Sequence, residues 1–157
     1  MSLIVEDGTG MSTADSYISV ADADTYHSSM GNTAWPLATE GAREIALRRA
    51  TQYLDTHYRW RGSPLSSTQA LAWPRDYAAW PVAAVRVACS ELALRALSAS
   101  LLEDVTDQTI KQETVGPITT VFFDPTQGGQ TRFALVDSLV APLTGGGGWS
   151  SLRIERA

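Results

Sequence analysis

Residues Arg59–Arg75 read RWRGSPLSSTQALAWPR. Gly62, Pro64 and the run Ser66-Ser67-Thr68 cannot sustain a helix or a strand, so the stretch is a loop. Yet it carries Trp60 and Trp73, and three arginines: Arg59, Arg61 and Arg75. A tryptophan in a loop is buried either by the chain's own helices or by a partner. Helical patterns lie on both sides. The stretch therefore reads as a brace between two core helices, with Trp60, Gly62, Trp73 and Pro74 as its structural parts. Arg59, Arg61 and Arg75 are left for contacts with other subunits, a task suited to planar guanidinium groups.

Before the brace, Thr39 is a plausible cap for a helix over about 40–58. Ala42, Ile45, Ala46, Ala50, Tyr53, Leu54 and His57 form one stripe. Arg43, Arg48, Arg49, Gln52 and Asp55 fall away from it. Glu44 and Arg48 have the favourable i,i+4 order. After the brace, Pro81 fits the first position of a helix over about 81–102. Its sequence, VAAVRVACSELALRALSASLL from Val82, is the most apolar stretch of the chain. An apolar arc that wide suits a central helix contacted on several sides, another subunit being one candidate.

Working outward, Asp7-Gly8-Thr9-Gly10 is a turn and Asp15–Ile18 a short extended piece. Ser19 with Asp22 resembles a capping box, opening a helix over about 20–30 that stops at Gly31-Asn32. Trp35-Pro36 marks a connection. On the other side, residues 109–115 and 118–123 are β-like and separated by Gly116-Pro117, which predicts a hairpin. A lone hairpin is marginal in water, so it must lean on the helices or pair with a neighbour. Residues 132–140 predict a short helix stopped by Pro142. Gly145–Gly148 is a flexible hinge. Beyond it, Trp149, Leu152, Arg153 and Ile154 give an alternating segment suited to docking on another chain or on its own body. The expected fold is mainly α: a helical bundle in residues 1–143 around one central apolar helix, with an inserted hairpin at about 109–123. A hinge and docking tail follow at 144–157.

The chain has 157 residues, one Cys and a net charge of −5. That length suits one domain with an adequate core. Cys89 alone excludes an internal disulfide. The opening MSLIVEDGTG has no basic region or long apolar run, so neither a signal peptide nor a membrane span is expected. Charge is uneven: net −5 over residues 1–39, +3 over 40–95 and −3 over 96–157, with Lys111 the single lysine. An acidic chain is a poor non-specific binder of duplex DNA.

Chemistry finds few candidates. Asp24 and His27 share a helical face with Asp22 nearby, but a solvated first turn explains them without a metal. His57 suits a helix C-terminus. Cys89 reads as a small core residue. No G-x-S-x-G, phosphate loop or dinucleotide fingerprint is present, so the reading is non-enzymatic, with no catalytic residue, metal or cofactor. Trp and Arg planes in the brace could stack single-stranded bases, against a simpler role as plugs of the helical core.

The motif order carries a resemblance. IVEDGTG and ADSYISVADADTYH are followed by Ala50–Asp55, Arg59–Gly62, Gln69–Arg75, Ala88–Ala93 and Val115–Pro117. Together they resemble a family of small tailed-phage and prophage proteins, often labelled putative DnaT-like single-stranded DNA-binding protein. The layout is also similar to the head-tail connector (adaptor) proteins of phages. That resemblance implies a structural virion protein forming a ring, usually of twelve subunits, at the head-tail junction. Its partners would be the portal, a tail or tail-completion protein, and genomic DNA passing through the channel unrecognised. Assembly would take place in the host cytoplasm. The alternative is a single-stranded DNA-binding replication accessory protein.

Overall fold

Caps and turns set the helices. The computed structural model describes residues 2–101, 112–115, 118–121 and 133–145. Its elements are α1 (Val20–Ser29), α2 (Ala34–Leu37), α3 (Glu40–His57), α4 (Ala83–Ala96), β1 (Gln112–Val115), β2 (Ile118–Val121) and α5 (Ala134–Val140). A 3-10 turn, Ala141–Leu143, follows α5 and contains Pro142. The architecture is mainly α, as the sequence predicts. Ser19 caps α1 by accepting from the Asp22 amide, and its hydroxyl donates to the Asp22 carboxylate, a side-chain contact in place of the backbone N–H contact of a full capping box. Thr39 caps α3 through the Ala42 amide. The chain leaves α1 at Gly31, whose φ of +70° favours glycine.

α4 is the centre. It packs on α3, α5 and α1. Val85, Ala88, Cys89, Leu92 and Ala93 are all fully buried, and Ser90 and Glu91 are buried with them. The wide apolar arc is therefore covered within the chain, and no second subunit is needed to explain it. Each large apolar side chain buried here contributes about 2 kcal/mol, which outweighs helix propensity differences of a few tenths per residue. Two boundaries differ from expectation. Val82 is extended, so α4 starts at Ala83 and Pro81 lies outside it. At the other end the amides of Leu97, Ser98 and Ala99 converge on the Arg95 carbonyl and close the helix well before residue 102.

The buried stripe of α3 is Ala46, Leu47, Ala50, Thr51, Tyr53 and Leu54. Ile45, expected on it, is half exposed, because α4 meets the face centred on Leu47 and Leu54. Trp35-Pro36, read as a connection, is the one-turn helix α2, with Trp35 buried. Tyr58 donates to Asp137 at 2.6 Å and Arg95 lies over the Phe133 ring, fastening α5 to the bundle.

Residues 102–132 form a separate compact unit. Its β1 and β2 are antiparallel, pairing Gln112 with Val121 and Val115 with Ile118. The turn at Gly116-Pro117 and the remaining residues of that unit lie outside the described set, as do Gly146–Gly148 and the docking-tail residues Trp149, Leu152, Arg153 and Ile154.

Candidate functional site

The brace is built from the rings inward. Trp73 is fully buried and Trp60 nearly so. Their rings meet edge to face with centroids 5.7 Å apart. Tyr58 extends the cluster on the Trp60 side and Tyr77 on the Trp73 side. The indole N–H groups of both tryptophans have no hydrogen-bond acceptor among the described residues. These rings act by packing.

Arg75 organises the loop backbone. Its guanidinium donates to the carbonyls of Ala72 (2.9 Å), Gly62 (2.7 Å) and Arg61. Leu65 N–H donates to Pro74 O and Asp76 N–H to Ser63 O, so the two limbs zip together. Gly62 has φ +66°, and an added Cβ would lie 2.3 Å from Asp76 Oδ1. Glycine is required there. Of the three arginines assigned to partners, Arg75 is thus bound inside the brace, while Arg59 and Arg61 are exposed. Arg61 also lies over the Tyr77 ring at 5.8 Å, and Tyr77 is 41% exposed.

The brace joins more than two helices. Asp55, at the end of α3, accepts from the Ala72 amide at 3.0 Å and from the Tyr17 phenol. Tyr17 in turn accepts from the Trp73 amide at 3.2 Å. Burial pushes the Asp55 carboxyl up to about 6 and the Tyr17 phenol well above its usual value. On the far side, Arg61 N–H donates to Leu143 O, and Gly145 N–H to Arg59 O. The N-terminal segment, α3, the loop and the chain after α5 therefore meet at one knot. Sequence reading missed Asp55 and Glu6. Glu6 is buried, and its carboxylate gathers the amides of Gly8, Gly10 and Met11. An acid two residues before a Gly-x-Gly turn was the available signal.

The Asp24–His27 pair proves structural. Asp24 Oδ1 accepts from Trp35 Nε1 and from Arg43, each at 2.6 Å. His27, expected in a solvated turn, is fully buried against Trp35 and pairs with Asn32. Burial lowers its pKa, which keeps the ring neutral. His57 stacks on Tyr53. Burial also pushes the Cys89 thiol up to about 12. No group of three metal-ligating side chains occurs among the described residues. Among them no helix is long and apolar enough to cross a membrane.

Two concavities share the turn at Gly31–Thr33. One, of about 420 Å³, is lined by Asp24, His27, Trp35 and Arg43. The other is a shallow groove of about 700 Å³ between the α2 region and the end of α4. It carries Leu37, which is 85% exposed.

The model of one family, described as "Putative DnaT-like ssDNA binding protein", matches residues 1–157. Comparison with curated proteins and with solved structures gave no match.

Proposed function

We propose that this chain, which belongs to the putative DnaT-like ssDNA-binding protein family, serves as a head-tail connector of a phage virion. In this reading it assembles as a homo-oligomeric ring between portal and tail and leaves a channel for genomic DNA. The observation that carries it is the hairpin unit. Residues 102–132 make up a compact unit of their own, and its described strands form a two-stranded sheet. Such a sheet is marginal alone and has edges fit for strand addition. A ring supplies a neighbour to every copy. Net charge supports the same reading, since a −5 chain lets DNA slide through without the affinity that phosphate neutralisation would add.

Single-strand binding is the second reading, and the family's description favours it. Trp60 and Trp73 are buried, so they offer no face to a base. A bound strand would instead use Tyr77, Arg59 and Arg61, which are exposed. The two readings part in one experiment. Mass measurement by light scattering, with and without portal protein, gives a closed ring for a connector. Oligonucleotide titration at about 50 mM salt gives saturable, salt-sensitive binding for a single-strand binder. A monomer under all conditions that binds oligonucleotide would overturn the connector.

A further inference from the structure

We infer that the corner between α1 and α2 is an acid-opened latch: on protonation, His27 leaves its buried seat for the adjoining cavity and frees Trp35 from the helical body. The latch is small. Of α1 only Ala23 and His27 are buried, and of α2 only Trp35. The His27 ring lies against Trp35 with centroids 4.5 Å apart, and it meets the Tyr26 ring edge-on. One imidazole thus sits at the centre of the contact that holds the corner down.

The seat is built for a neutral ring. His27 Nδ1 pairs with the Asn32 amide at 3.0 Å, and Nε2 has no hydrogen-bond partner among the described residues. A protonated imidazole carries N–H on both nitrogens, so the Asn32 amino group then meets a donor. Turning the amide over repairs that contact and leaves the charge buried. The acids facing the ring are Glu91 on α4 and Asp24 on α1. Each is already matched by an arginine: Glu91 by Arg95 at 3.0 Å, Asp24 by Arg43 at 2.6 Å. Glu91 also accepts from the Tyr26 phenol, and the Ser90 backbone faces the ring from α4. Burial outweighs these attractions and sets the imidazole below its ordinary value.

The way out lies beside the ring. His27, Gly31, Asn32 and Arg43 all line the cavity of about 420 Å³. The turn passes through Gly31, where an added Cβ would meet nothing within 4 Å. α3 and α4 supply most of the core, so the corner lifts while they stay packed. The stabilisation from His27 is complete above about pH 6.5 and is lost as pH falls through its lowered folded value. The Asp55 carboxyl acts in the opposite direction, so the test needs a local readout.

Hydrogen exchange of the full-length chain, read by mass spectrometry at about pH 7 and about pH 5 and corrected for intrinsic rates, supplies it. Peptides covering residues 26–38 should open at least about tenfold more at the lower pH, while those covering 85–96 stay protected. His27→Gln keeps a polar side chain that cannot titrate and should abolish the gain. Asn32→Asp sets a carboxylate beside Nδ1 and should suppress the gain with the ring in place. In the parent chain, proton NMR should show the His27 imidazole titrating below the ordinary value of about 6.5, at the pH where the corner opens. If His27→Gln fails to fold, Asn32→Asp and this titration decide. Exchange in 26–38 that ignores pH, an undiminished gain in either folded variant, or a His27 titration at or above the ordinary value overturns the inference. None of these outcomes depends on whether the chain forms a ring.

Discussion

The Tyr17 phenol donates to the Asp55 carboxylate while accepting the Trp73 amide, so one hydroxyl joins the N-terminal segment, α3 and the brace. Tyr17→Phe leaves the Trp73 amide and one carboxylate site unmatched in a buried place. A loss of about 1–3 kcal/mol is expected, read as a lower urea midpoint at unchanged slope. Asp55→Asn should cost less when combined with Tyr17→Phe than the separate losses suggest, since the two act as one unit. Full additivity would show that they are not coupled.

The same carboxylate gives a pH signature. Its pKa is about 6 folded against 3.8 as the reference. The folded chain thus holds a proton across that interval which the unfolded chain gives up. Stability from this group is fully present below about pH 4 and is lost as pH rises through about 6. For this half-buried group the change is on the order of 2–3 kcal/mol. Urea midpoints taken between pH 4 and 7 should show this falling component, and Asp55→Asn should remove it. A parent and variant with parallel profiles would contradict the assignment.

Two glycines should respond oppositely to alanine. Gly62 has φ +66° with Asp76 and Tyr77 in the way of a Cβ, while Gly41 has open space and lies in the first turn of α3. Gly62→Ala should destabilise by about 1–3 kcal/mol. Gly41→Ala should stabilise by up to about 1 kcal/mol. Thermal midpoints moving the same way in both would refute the reading of the brace turn.

Cys89 is fully buried, and its thiol is raised to about 12. Only thiolate reacts appreciably. Native protein should therefore resist a thiol-specific reagent at pH 8 and react fully once unfolded in urea. Prompt labelling of the native chain would mean that α4 opens locally.

How much of this was legible depended on whether a signal was local. The caps at Ser19 and Thr39 are, because the capping partner sits three residues away. So is the central role of α4, whose apolar arc is wider than one neighbour can cover. The burial of Trp60 and Trp73 follows from aromatic rings in a loop. What stayed hidden was tertiary. Ile45 and Leu47 are equally plausible stripe members until α4 chooses the face around Leu47. Nothing near Asp55 in sequence announces Tyr17, 38 residues away. His27 looked solvated because Trp35, which covers it, lies past a turn. Arg75 reads as a free cation until the carbonyls of Gly62 and Ala72 are brought to it. The groove at Leu37 needs α2 and the end of α4 together, and no periodicity reports that.

Trp73→Ala should cost about 3–5 kcal/mol, since a fully buried indole is removed from the knot. Any loss of oligonucleotide binding in that variant should then parallel the loss of helical signal by circular dichroism. Lost binding with the fold intact would mean the ring contacts bases.

The central claim is assembly into a ring, and the mass of the full-length chain mixed with portal protein tests it most directly. Light scattering, with negative-stain imaging of the same sample, should give a closed ring of one subunit number with an open channel. A chain that stays monomeric at every concentration, fails to associate with portal and binds single-stranded DNA in a salt-sensitive way would contradict the account.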